Sequence, residues 1–185
     1  MRAYARLPGG YRFQERIDLV KNRKQLIRVN VLSIALAVLS VAAGLLLKPA
    51  GAPFGWLQWL AAIVGTAAYV IGHEAVHGVL MWLISHQKPR FGCKLMYAYA
   101  GSSAFFDKHA YLLIAIAPLA VWTTVLGVLA AALPAVCFWP VWAVQVMNIS
   151  GAAGDLYVFF HLLNRPRTML VQDDGTAMTI WQRAD

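Results

Sequence analysis

The residues best equipped for chemistry are His73, Glu74 and His77, in the stretch Ile71-Gly72-His73-Glu74-Ala75-Val76-His77-Gly78. This is an HExxH sequence. On a helix, histidines four residues apart project from one face and can share a single metal ion. Glu74 projects beside them, where it can act as general base on a water at that metal. The chemistry is metal-assisted hydrolysis. The setting is unusual, because apolar sequence runs for about ten residues before the motif and about seven after it. An HExxH inside such a run implies chemistry within, or at the edge of, a bilayer.

A catalytic zinc needs a third protein ligand. Ionisable residues in the apolar stretches are few: His73, Glu74, His77, Asp155 and, near a boundary, His161. A carboxylate at the centre of a membrane helix costs on the order of 2.5–3.5 kcal/mol on insertion scales, and such groups normally mark function. Asp155 is the candidate. Taking spans at about 54–84 and 136–163, His77 and Asp155 each lie about seven or eight residues from the same end, roughly 10–12 Å below one membrane surface. Two imidazoles, Asp155 and a water complete an open four-coordinate site. Zn²⁺ with the Asp155 and Glu74 carboxylates sums to zero formal charge, which eases burial. Asn148 lies nearly two turns before Asp155 on about the same face, followed by Gly151, Ala152, Ala153 and Gly154, small residues that let helices approach closely. It can stabilise an oxyanion, hold substrate backbone or make an interhelical hydrogen bond. His161 reads as a structural boundary residue, His86 and His109 as solvated span ends, Asp107, Asp173 and Asp174 as loop or turn residues. The Trp and Tyr residues read mostly as a membrane belt.

The elements that must position these groups follow from composition. Of 185 residues, 60% are hydrophobic and only 13% charged, whereas soluble domains carry nearer a quarter charged residues. The expected fold is an all-α membrane protein with four transmembrane helices at about 26–47, 54–84, 110–133 and 136–163. A basic arm (1–25) precedes the membrane-embedded domain (26–163), and a tail (164–185) follows it. The second span exceeds the roughly 30 Å hydrocarbon core, so it tilts, kinks or begins at the interface, with Trp56 and Trp59 as anchors. Pro118 should kink the third span. Eight Lys/Arg lie up to Arg28, one in 48–53, four in 86–109, none in the 134–135 turn and three after 163. This alternation places both termini and the 86–109 loop in the cytoplasm, with the chain multi-pass in the cell (inner) membrane. The net charge of +8 is thereby assigned to topology and the lipid bilayer, not to nucleic acid.

Between Tyr11 and Lys24, Phe13, Ile17 and Val20 fall at helical spacing among basic residues, which suits a surface-lying helix or a disordered basic arm. In the 91–106 segment Phe91, Cys93, Leu95, Tyr97 and Tyr99 alternate as on one face of a strand, and Gly101-Ser102-Ser103 follows as a turn, so a β-hairpin-like element is expected there. Thr168–Gln172 and Ala177–Trp181 flank an Asp-Gly turn signal and read as a short cytoplasmic hairpin. Cys93 and Cys137 lack metal-ligand spacing and are expected to be thiols or apolar fillers. The first 25 residues carry no apolar stretch of signal type.

His73-Glu74-Ala75-Val76-His77-Gly78, an apolar span, and then Asn148 through Gly154-Asp155 resemble the site-2-type intramembrane metalloproteases, and most of all the small bacterial zincin peptidases related to them. In the larger enzymes a later helix supplies an Asp as third zinc ligand, an Asn precedes it, and a membrane-associated β-hairpin lies between. The resemblance covers roughly residues 55–163. It implies His73, His77 and Asp155 as zinc ligands and Glu74 as general base, with Phe91–Phe106 in the place of the hairpin. The family's Asn-Pro pairing and Asp-Gly dipeptide are absent, since Leu156 follows Asp155, and no PDZ domain is present. The expected function is a zinc-dependent endopeptidase acting on a membrane protein or peptide. The alternatives are a divalent metal transporter and a non-catalytic zinc-binding membrane protein.

Overall fold

The computed structural model describes residues 1–94 and 97–184. Among the described residues, four helical segments are long and apolar enough to cross a membrane: Arg23–Leu47, Trp56–Ser85, Lys108–Ala132 and Ala135–Leu163. The first three are the helices α1, α2 and α3. Their starts have local causes. The Asn22 carboxamide oxygen accepts the N–H groups of Lys24 and Gln25, so α1 begins three residues before the expected 26. Gln58 reaches back to the N–H of Gly55 at 3.0 Å and starts α2. Asp107 accepts the N–H of Ala110 at 2.8 Å at the head of α3.

The fourth segment is not the single helix expected over 136–163. A short 3-10 turn (Ala135–Cys137) leads into α4 (Phe138–Gly151), and after Ala152 the chain restarts as α5 (Ala153–Leu163). Ser150 turns its hydroxyl back onto the carbonyl of Val146 at 2.7 Å, a bond that bends helices. The small residues Gly151 and Ala152 follow.

The all-α expectation also needs correction, because a sizeable sheet accompanies the helices. The strands are β1 (Ala3–Tyr4), β2 (Tyr11–Ile17), β3 (Arg90–Lys94), β4 (Tyr97–Gly101), β5 (Phe105–Asp107), β6 (Leu170–Asp173) and β7 (Met178–Arg183). One antiparallel sheet has the order β1-β5-β6-β7-β2, and β3 pairs with β4 separately. The C-terminal hairpin is therefore present, with Gly175 at φ +84° in its turn. The segment expected as one hairpin over 91–106 divides. Arg90–Gly101 forms the hairpin, and Phe105-Phe106 joins the larger sheet. Leu95 and Met96 lie outside the described residues. Because Tyr99 stands opposite Gly92 and Ala100 opposite Phe91, Tyr99 does not share a face with Phe91. The reversal of the chain, invisible to simple alternation, separates them.

The arm up to Ile17 is neither a surface helix nor disordered. It is β2, an edge strand paired with β7. The four-residue spacing of Phe13 and Ile17 fits a strand as well as a helix, and a register irregularity between Phe13 and Glu15 turns the two onto opposite faces of β2. Ile17 is fully buried, while Phe13 meets Trp181 edge-on at 6.1 Å across the ladder.

The chain divides into two units. One comprises 1–27, 74–118 and 155–185. It holds both sheets and a core built on Ile17, Met81, Phe106, Ile114, Leu162, Val171 and Ile180. Lys108 is buried there, its ammonium bound to the carbonyls of Leu163 and Arg165 at 2.6 and 2.5 Å, which caps α5. The expected structural role of His161 agrees with its contacts: Nε2 lies 3.1 Å from Glu15 on β2, and Arg165 binds the same carboxylate.

The other unit comprises 28–73 and 119–154. In it α1 buries only Ser40 and Gly44. The Trp142 indole lies where a Cβ on Gly44 would stand, and donates to the Ser40 carbonyl at 2.9 Å. Val31, Ile34, Val38 and Leu39 of α1 remain largely exposed, a surface suited to lipid contact.

Candidate metal centre

Helix α2 runs unbroken through His73 and His77, so the two rings emerge one turn apart, and both are buried. Glu74, next to His73, is half-buried. The Nε2 of His77 lies 3.5 Å from a carboxylate oxygen of Asp155. Asp155 sits in the first turn of α5, where the positive end of the helix dipole favours the ionised acid. The break at Ala152 creates that N-terminus.

The other nitrogen of His77, Nδ1, lies 2.9 Å from the carbonyl oxygen of Ile114. Pro118 explains why this carbonyl is available. It stands inside α3, has no N–H and cannot donate to the residue four before it, which is Ile114. The proline releases a backbone acceptor, and His77 takes it. An imidazole whose Nδ1–H is held by a carbonyl presents Nε2 as a metal ligand.

His73 is held in a similar way by different groups. Its Nδ1 lies 2.8 Å from the Tyr69 hydroxyl, which is 3.3 Å from the Asn148 carboxamide oxygen. The Asn148 nitrogen donates to Thr123 Oγ1 at 2.9 Å. Asn148 is fully buried. Trp122 packs edge-on against Tyr69, with ring centroids 5.6 Å apart, and fills the space beside Gly72 that a Cβ would need.

His73, His77 and Asp155 each offer a ligand atom, and these atoms lie within 4.8 Å of one another. The donor set fits zinc. Ligand atoms on a tetrahedral zinc, each about 2.0–2.2 Å from the metal, stand roughly 3.3–3.6 Å apart, and the His77–Asp155 separation of 3.5 Å is of that size.

Two neighbouring groups were missed in the sequence. Tyr69, read with the membrane-belt aromatics, is buried one turn before His73, and that i−4 spacing was the available signal. Asp173, read as a turn residue, accepts a 2.5 Å hydrogen bond from Tyr111 and one from the Gly175 N–H at 2.8 Å. Burial pushes its carboxyl up to about 6, against those two hydrogen bonds. The β3–β4 hairpin approaches the motif helix directly, since the Phe91 ring occupies the space beside Gly78, the residue after His77. At the same end of the hairpin, on β4, Gly101 abuts the backbone of Asp174 and Gly175.

Residues 66–170, more than half of the chain, match the family described as "Putative zincin peptidase". The chain belongs to that family. No curated protein and no solved structure matches it. A zincin peptidase is a hydrolase whose metal is zinc, and His73, His77 and Asp155 are a group able to bind it.

Proposed function

We propose that this zincin-family chain is a site-2-type intramembrane endopeptidase that hydrolyses peptide bonds of membrane proteins or membrane-associated peptides. The observation that carries this reading is the meeting of His73, His77 and Asp155 on segments long and apolar enough to cross a membrane. His73, His77 and Asp155 would hold zinc. When bound, the metal supplies a Lewis acid that polarises a peptide carbonyl and acidifies the attacking water. Glu74 accepts the proton that this water loses and delivers it to the leaving amine. A substrate helix must unwind before its scissile bond can reach Glu74. The β3–β4 ladder offers backbone edges on which the unwound segment can be held extended by strand addition.

The chain sits in the cell membrane with both termini cytoplasmic. Support comes from the five-stranded sheet, which joins β1 and β2 of the arm, β5 of the 86–109 connection and the C-terminal hairpin, and from the basic residues concentrated in those segments.

The test uses purified protein in liposomes with a panel of transmembrane peptides labelled for cleavage. Glu74→Gln should retain zinc and lose peptide hydrolysis. Cleavage by Glu74→Gln at the wild-type rate removes Glu74 as base. Zinc flux across the liposome with no peptide cleaved would instead favour a transporter.

A further inference from the structure

The contacts around His73 allow one assignment of hydrogens. The Asn148 carboxamide nitrogen can only donate, and its partners are Thr123 Oγ1 at 2.9 Å and Gln145 Oε1 at 3.4 Å. The oxygen of the same carboxamide therefore faces Tyr69, and it can only accept. The single phenolic hydrogen of Tyr69 accordingly goes to Asn148, across 3.3 Å. With that hydrogen committed, the Tyr69 oxygen meets His73 Nδ1, 2.8 Å away, as an acceptor. Nδ1 then carries the hydrogen, and Nε2 carries the lone pair a metal needs. The opposite arrangement would put the hydrogen on Nε2 and disable the ring as a ligand through that atom.

We infer that Tyr69 is a positioning residue that sets the tautomer of His73, and that Asn148 acts by orienting the Tyr69 hydroxyl, without touching substrate. The inference rests on the reading of His73 as a zinc ligand. The packing suits the role. Tyr69 is 5% exposed and Asn148 0%, so water does not readily substitute for either partner. Trp122, against the Tyr69 ring and beside Gly72, restricts the swing of that ring. Of the roles expected of Asn148, this is the interhelical hydrogen bond rather than the oxyanion or substrate contact.

Two measurements on the full chain in detergent micelles test this. Zinc affinity is read by competition with a chromophoric chelator. The His73 tautomer is read from the ¹⁵N shifts of the imidazoles in metal-free protein, a signal that general loosening of the helix does not specifically invert. Tyr69→Phe should weaken zinc binding by about 10–100-fold and lower the Nδ1–H population of His73. Asn148→Leu should act in the same direction. The double variant should bind no more weakly than the worse single variant, because both remove one chain of bonds. Wild-type affinity in both single variants, or an Nε2–H tautomer in the metal-free wild type, overturns the inference. Wild-type protein that binds no zinc overturns the zinc-ligand reading instead, and the tautomer measurement still decides the role of Tyr69.

Discussion

Replacing Pro118 with alanine should change zinc affinity and stability in opposite directions. Alanine restores an N–H at position 118, aimed at the carbonyl of Ile114 four residues back. That carbonyl now accepts from His77 Nδ1 at 2.9 Å. Both Ile114 and Pro118 are buried, so the two donors compete for one oxygen with little help from water. Losing a hydrogen bond of this kind costs about 0.5–1.5 kcal/mol for a neutral imidazole, and about 1.5–3 kcal/mol once the ring is polarised by a bound cation. At about 1.4 kcal/mol per tenfold, the second range weakens zinc binding by roughly 10–150-fold, comparable to other losses of outer partners of metal ligands. In the metal-free protein the same change removes a residue about 3 kcal/mol less favourable than alanine in a helix interior. Part of that gain is offset by the lost His77 bond, and the apparent Tm should rise or hold. The assays are chelator competition and thermal melting followed by circular dichroism, with and without zinc. Unchanged zinc affinity in Pro118→Ala would show that His77 does not depend on the freed carbonyl and would refute the reasoning.

Other perturbations test neighbouring parts. His73→Ala and Asp155→Ala should each bring zinc content of purified protein from about one per chain to near zero, measured by elemental analysis; full retention in Asp155→Ala would remove it as third ligand. Asp173 keeps its proton in the folded state up to about pH 6, whereas an unfolded aspartic acid releases it near pH 4. Stability should therefore fall as pH rises from about 4 to about 6 and then level off. Asp173→Asn removes the titrating proton, so it should flatten that decline in melts of metal-free protein across pH 4–7. A Cβ on Gly101 would stand 2.5–2.6 Å from backbone atoms of Asp174 and Gly175, which cannot move aside as a side-chain tip can. Gly101→Ala should destabilise by about 1–3 kcal/mol, visible as a drop of roughly 3–10 °C in apparent Tm.

The long apolar helices and the candidate metal ligands were legible because their signals are local or additive. Apolar runs locate helices by length, and His73 and His77 sit one turn apart on a single helix. Asp155 could be found because a carboxylate in an apolar run is costly enough to demand a reason. The sheet was illegible for the opposite cause. β2 pairs with β7, more than 160 residues away, and the four-residue spacing of its Phe13 and Ile17 fits a helix as well as a strand. The restart of the helix after Ala152 depends on how Ser150 directs its hydroxyl, which residue type alone does not decide. Pro118 was visible as a kink, and counting back four residues identifies Ile114 as the released carbonyl. Nothing in the sequence says that His77 receives it.

A helix in hydrocarbon must satisfy its backbone within itself, so a regular bundle would offer the centre side chains alone. Here two departures from regularity supply what side chains do not. Pro118 leaves the Ile114 carbonyl unused by α3, and it orients His77 without placing another polar side chain in the apolar stretch. The restart at Ala153 generates a helix N-terminus within the fourth segment, and Asp155 occupies its first turn, where the exposed N–H groups stabilise its charge. Each departure costs some helix stability, and each lies beside a candidate ligand. Mutations that repair the helices should therefore tend to damage the metal centre, and the opposite signs expected for Pro118→Ala are the measurable form of that trade.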